Sequence, residues 1–382
     1  MGVNFGYFLS VGVVNAIMPR FITGPLHSSN FGVGVALASF TVTALVLRQF
    51  SGRFGDRRGR HLPIRVGSLV NTVSMVGFVF ATSLVHVVAL RLLTGVAEAF
   101  IFVGVATAVQ DIAPDDRRGE AASLFSLSLF VGLAVGPIIG EQFLNHFGFN
   151  GAWLFAASAG ALGVLFSLVV PDTRTHDVQA AEPPPLVHRA AIRPGSILGC
   201  VIWGLAAFNG YMPLYALKIG LSGAGPVFLV NALVILAFRS IGARIPDRFG
   251  PLKTARYALV LAPAGLAVMA LWRTVPGLFA GAIVLASGQA LAFPALMTIA
   301  VNNAPASERG AVMGTFTAFF DLSFGGGALA LGAVSQVIGY NGAFGAAAIV
   351  ACIGLLVLVF APPPERRPQE IMRVFEISPP GE

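Results

Sequence analysis

Charged side chains are scarce in this chain: they make up 11% of its 382 residues, against the ~25% usual for soluble domains. Lysine occurs only as Lys218 and Lys253, so the net charge of +7 is carried by arginine. With 56% hydrophobic residues and a mean hydropathy of +0.81, a water-soluble fold could not hide the apolar surface. The arginines fall in short loops between apolar runs, not on one face, which excludes a nucleic-acid surface. Cysteine is equally rare. Cys200 and Cys352 both lie inside apolar stretches at a spacing that suits neither a disulfide nor a metal site, so both are expected to be buried thiols. No nucleophile–base pair, metal-ligand spacing or phosphate loop is present, which argues against an enzyme and leaves no cofactor to expect. None of the six histidines is expected mid-helix, so a histidine proton relay is not expected either.

What the chain does have is length of apolar run. Most runs reach ~20 residues, enough to cross ~30 Å of hydrocarbon at 1.5 Å per residue. Six spans are expected at roughly 3–25, 31–51, 62–82, 84–109, 120–143 and 149–170. Six more follow at 195–217, 223–243, 254–272, 276–301, 310–337 and 341–361. The first run continues through Pro19-Arg20 and is expected to span, not to be cleaved. The 45 Gly and 24 Pro suit close packing and local unwinding of membrane helices. The expected fold is an all-α membrane protein of twelve helices in two pseudo-symmetric six-helix bundles. Its parts are residues 1–170, a polar Pro-rich connector 171–193, a second bundle 194–362 and a tail 363–382.

The two bundles are one unit written twice. Asp56-Arg57-Arg58-Gly59-Arg60 returns in reduced form as Asp247-Arg248-Phe249-Gly250, and 247 − 56 = 191. The same offset pairs Arg48 with Arg239, Pro114 with Pro305, Arg118-Gly119 with Arg309-Gly310 and Gly148 with Gly339. Parallel halves of this kind are a known way to build a secondary transporter. If both termini face the cytoplasm, twenty of the 24 basic residues fall on the inside, which sets the expected orientation.

The loop Gly52-Arg-Phe-Gly-Asp56-Arg57-Arg58-Gly59-Arg60 resembles the signature of the major facilitator superfamily, with His61 in place of its last Arg. The resemblance covers the whole chain. It implies a gate in which Gly52, Asp56, Arg57, Gly59 and Arg60, with Asp247, Arg248 and Gly250 in the second half, lock the cytoplasmic side. Read from the residues alone, the cluster could equally only enforce topology. Arg91-Leu-Leu-Thr-Gly95-Val-Ala-Glu98 resembles the family's Arg-x-x-x-Gly motif, which is associated with proton coupling. Glu98 falls near mid-helix, where a charge costs at least ~2.5–3.5 kcal/mol and must face a cavity, a partner or a proton. Either it ties structurally to Arg91, or it serves cargo or proton.

Gly132-Leu-Ala-Val-Gly136-Pro137-Ile-Ile-Gly140 resembles the exporter and antiporter motif of the superfamily's fifth helix. Glu141 stands where that motif ends in Gly and is expected at the outer interface. Asp321 lies roughly thirteen residues, ~20 Å of helix rise, from the cytoplasmic end of its span, and its repeat counterpart is Phe130. It is a candidate for proton exchange, or for a structural hydrogen bond to the second or eighth span. Asn15, Phe40, Phe100, Asn209, Tyr211, Asn231, Gln289 and Phe293 are candidate cavity-lining residues, an aromatic and amide set suited to amphipathic molecules. The first span carries no acid, which weighs against cationic drugs. The expectation is a monomeric, multi-pass, proton-coupled exporter of small amphipathic molecules in a bacterial inner membrane, its partners being cargo, protons and lipid. An importer or exporter of a sugar, organic acid or other metabolite is the alternative, and a non-transporting receptor or scaffold the remote one.

Overall fold

The computed structural model describes residues 1–114, 117–172, 187–240, 249–305 and 308–363. Asp247 and Arg248, the middle of the connector and the tail beyond 363 lie outside these residues. So do the side chains of Asp56 and Arg57. Every regular element among the described residues is helical: α1 Gly2–Thr23, α2 Asn30–Arg58, α3 His61–Val79, α4 Leu84–Ile112 and α5 Arg118–Leu168. The second half contributes α6 Arg189–Lys218, α7 Gly225–Ser240, α8 Pro251–Leu271, α9 Val275–Asn302 and α10 Arg309–Phe360.

Side chains mark where several helices begin. Ser29 accepts from the Gly32 amide, Ser83 from His86 and Thr274 from Gly277, each satisfying a donor that the first turn leaves unpaired. Nine of the described helices are long and apolar enough to cross a membrane, and Gly225–Arg239 is a shorter apolar one. Large apolar side chains such as Leu69, Val73, Leu165, Val260 and Ile349 are exposed on the outer faces. That is the pattern of a protein whose surface meets lipid.

The 51 residues of α5 would span ~77 Å as one rod, far more than a ~30 Å hydrocarbon layer. The helix instead breaks at Gly148, with φ 69° and ψ −170°, and α10 breaks likewise at Gly339, with φ 76° and ψ −179°. Contacts with α1 show that α5 turns back. Gly132 faces Phe8 and Leu9, Gly136 faces Gly12, and Gly140 faces Val13, so the first arm runs with α1. Beyond the break Trp153 packs on Phe21, Ala159 faces Gly6 and Phe166 faces Gly2, so the second arm runs against it. α10 does the same on α6: Phe319 and Ser323 face Gly195 and Gly199 on the way out. Phe344 packs on Tyr215 and Gly354 on Cys200 on the way back.

Trp153 is fully buried, stacked on Phe78 at 4.7 Å, and its repeat counterpart Phe344 is fully buried too. Only Gly tolerates this combination of positive φ and extended ψ without strain, which is why the repeat keeps glycine at both reversals. The two halves meet through α2 against α10, α5 against α7 and α1 against α6. The expectation of two buried thiols holds for neither cysteine fully: Cys200 is half-buried and Cys352 is exposed. Cys352 lies beside the exposed Ile349, Ile353 and Leu356, on the outward face of the second arm of α10.

Candidate functional site

Between the halves lies a cavity of about 450 Å³. Its walls are largely apolar and aromatic, with polar groups from both halves. Of the residues expected to line it, Asn15, Phe40, Asn209, Asn231, Gln289 and Phe293 do so. Phe100 and Tyr211 do not. Phe100 stacks on Phe54 with ring centres 5.9 Å apart, and Tyr211 is fully buried with its hydroxyl donating to the Ala328 carbonyl at 3.1 Å. Both are on the right helices but on a neighbouring face, since one residue turns a helix by ~100°.

Arg91, Glu98 and Asp321 all line the cavity and are all nearly inaccessible to water, at 4%, 9% and 7%. One of the two readings of Glu98 was a structural tie to Arg91. The structure supplies another partner. Arg48 of α2 reaches in with Nη2 3.5 Å from Glu98 Oε1 and Nη1 2.8 Å from Asp321 Oδ2. The Asp321 contact is a close ion pair without hydrogen-bond alignment. One arginine thus stands between two carboxylates from opposite halves, which repays the desolvation of three charges better than isolated burial could. Arg91 turns to α2 instead, donating from Nε to the Ala36 carbonyl at 3.3 Å and lying 4.4 Å over the Phe40 ring.

By sequence Arg48 is one of the twenty basic residues counted on the inner side, at the end of its span. It is interior because α2 runs on to Arg58, seven residues past the expected end of the span at 51. The repeat supplies the missed signal. Arg239, its counterpart at the 191 offset, also lines the cavity and also meets the opposite half, lying 4.6 Å over the ring of Phe130. Phe130 is itself the counterpart of Asp321.

At one end the halves are tied together. Glu141, at 7% exposure, accepts from the Ala224 amide at 2.7 Å and the Gly225 amide at 2.8 Å, capping the start of α7 from the other half. Arg20 lies 3.9 Å from the same carboxylate. The Asn30 amide donates to Gln336 Oε1 at 3.0 Å, and Tyr340 donates to Asn30 Oδ1 at 3.4 Å. All these contacts lie at the end away from the Gly59 turn.

The sequence of this chain, with its glycine-bearing turn between α2 and α3, matches the family model described as the Major Facilitator Superfamily over residues 1–275 and 230–376. The chain belongs to the major facilitator superfamily. An uncharacterized MFS-type transporter of Salmonella typhimurium is 26% identical over 363 residues, covering 92% of each chain. The staphylopine export protein of Staphylococcus aureus is 24% identical, covering 93% of this chain and 94% of its own. The crystal structure of a POT family transporter in complex with a thioalcohol-conjugated peptide superposes with a TM-score of 0.80 at 15% identity, covering 94% of this chain and 95% of its own. The protein is therefore a multi-pass membrane transporter and not an enzyme.

Within this superfamily member the signature loop is built as its sequence requires where it is described. Gly59 ends α2 with φ 90° and its amide donates to the Gly55 carbonyl at 2.9 Å. Arg60 pairs with Asp111 at the end of α4 at 3.2 Å and reaches the Gly52 carbonyl at 3.5 Å. Gly250 repeats the turn with φ 84°. The helix-5 motif forms the close seam with α1: a methyl added at Gly136 would lie 2.8 Å from Gly12 Cα, and Pro137 abuts Gly12. No group of three or more His, Cys, Asp or Glu that could hold a metal is found among the described residues.

Proposed function

We propose that the protein is a proton-coupled exporter of small amphipathic molecules, working by alternating access of two six-helix halves. The observation that carries this reading is Arg48 held between Glu98 of its own half and Asp321 of the other. A proton on either carboxylate removes one of the two charges that fix Arg48, so proton binding bears directly on a contact that joins the halves. Counting each arm of α5 and α10 separately supports twelve crossings, and the arginine bias supports cytoplasmic termini. On that orientation the Glu141 tie closes the outer side, and the cavity is poised toward the cytoplasm, where an exporter loads. The Gly52, Asp56, Arg57, Gly59 and Arg60 cluster, with Asp247, Arg248 and Gly250, then forms the lock that shuts the inner side. The seam of Gly132, Gly136, Pro137 and Gly140 on α1, and the likeness to the staphylopine export protein, support the outward direction. The unit is proposed to act as a monomer in a bacterial inner membrane.

The test uses the full chain in everted vesicles with an imposed proton gradient and a panel of amphipathic compounds. Gradient-driven accumulation is expected, and Asp321→Asn or Glu98→Gln should abolish it. Unchanged accumulation in both variants would end the coupling assignment.

A further inference from the structure

The cavity holds more donor capacity than its own acceptors use. Arg48 is engaged by Glu98 and Asp321, and Arg91 by the Ala36 carbonyl and the Phe40 face. Among the described residues Arg239 has only the ring of Phe130, with no carboxylate paired with it. Of the charged residues in the lining, three are arginines (Arg48, Arg91, Arg239) and two are acids (Glu98, Asp321), so the formal balance is 3 − 2 = +1. Two turns back along α7, Asn231 is 8% exposed and its Nδ2 has no partner among the described residues. On α9, both amide atoms of Gln289 are also buried and unpartnered. Arg239 stands near the end of α7 and keeps access to water, and its guanidinium carbon lies 4.6 Å over an aromatic ring within the cavity lining.

From this surplus we infer that the cargo is an organic anion: an apolar body carrying one carboxylate or similarly charged group, bound by Arg239 with Asn231 and Gln289 in support. A cationic cargo would enter a cavity already positive. A neutral one, displacing water from the cavity, would leave the guanidinium of Arg239 without water or a counter-charge. An anion supplies the missing acceptors, and a carboxylate fits the planar fork of a guanidinium through two parallel bonds. Turning the Asn231 or Gln289 amide about its side-chain torsions adds a neutral donor. The volume of about 450 Å³ sits in the range that holds a drug-sized body, and its aromatic walls suit one. Protonating Glu98 or Asp321 makes the cavity more positive still, so charge repulsion does not make proton and anion exclusive. That exclusivity falls to the gates. The inference rests on the transporter reading only in taking this cavity as the cargo site.

The experiment measures equilibrium binding to the purified full chain by calorimetry, with no gradient present. The probes are a panel of aryl and alkyl carboxylates, each paired with its own neutral amide; 1-naphthylacetate and 1-naphthylacetamide are one such pair. The carboxylate members should bind about tenfold or more tighter than their amides, the discrimination expected of a charge-assisted contact. Arg239→Gln should erase the preference and Arg239→Lys should keep most of it. Equal binding within pairs, no carboxylate binding anywhere in the panel, or a preference that survives Arg239→Gln would each overturn the inference. Intact carboxylate preference alongside failed gradient-driven accumulation would count against the transport mechanism alone.

Discussion

Arg48 and Asp321 meet at 2.8 Å although one belongs to the second helix of the first half and the other to the last long helix of the second. The contact is therefore both an ion pair within a cavity and a strut between the two halves. Because Glu98 shares the same guanidinium at 3.5 Å, the three residues form one unit and should not respond independently to substitution.

Arg48→Gln tests that unit. It leaves two carboxylates facing each other without a cation, and removing one partner of a buried pair costs ~3–5 kcal/mol. Because the Arg48 side chain keeps 21% of its exposure, the lower end of that range is expected. Thermal unfolding in detergent should fall for Arg48→Gln, and adding Asp321→Asn should recover part of the loss. Strictly additive effects in this cycle would show that the three groups are not coupled.

Glu141 makes a prediction about conformation. Its two bonds to the Ala224 and Gly225 amides are charge-assisted, each worth ~1.5–3 kcal/mol, and both cross between the halves. Glu141→Gln keeps the size but weakens both, so the closed end should open more often by a factor of about ten or more. Spin-label distances between positions 26 and 222 report it, with Cys200 and Cys352 first replaced by Ser. A distance distribution identical to that of the parent would remove Glu141 from the gate.

How much of this could be read from the residues depends on what kind of constraint each one records. Backbone constraints were legible: the repeat keeps Gly59 with Gly250 and Gly148 with Gly339, and all four have positive φ. Depth along a span was legible too: Glu98, Asp321, Asn231 and Gln289, each placed well inside a span, all line the central cavity. Facing was less legible. Phe100 and Tyr211 belong to the right helices but point into packing, because apolar membrane helices lack the polar face that would fix their rotation. Arg48 was hidden by a different effect. A count of basic residues near span ends treats every arginine there as topological, and nothing local marks the one that α2 carries inward by continuing to Arg58.

Gly148→Ala tests the reversal in α5. With φ 69° and ψ −170° this residue sits in a region essentially reserved for glycine, so Ala should cost ~1–3 kcal/mol through strain alone. No atom lies within 4 Å of where its methyl would go, so no clash adds to that figure. The melting temperature should drop while cargo binding in the distant cavity is unchanged. Equal stability for Gly148→Ala and the parent would mean that the chain relieves the strain by moving the break.

Phe130→Asp uses the repeat as a design. Phe130 stands under Arg239 in the position that Asp321 holds beside Arg48, so an acid there should rebuild the same pair in mirror order. The new carboxylate would engage Arg239 and bring the formal balance of the lining from +1 to 0. Preference for carboxylates over their amides should then fall about tenfold or more, matching Arg239→Gln without removing the arginine. Stability separates this pairing from simple damage: an acid paired with Arg239 should be tolerated, whereas Phe130→Asp combined with Arg239→Gln leaves it unpaired and should melt lower. If the double variant melts no lower than Phe130→Asp alone, the acid has not found the arginine, and Arg239 does not command that part of the cavity.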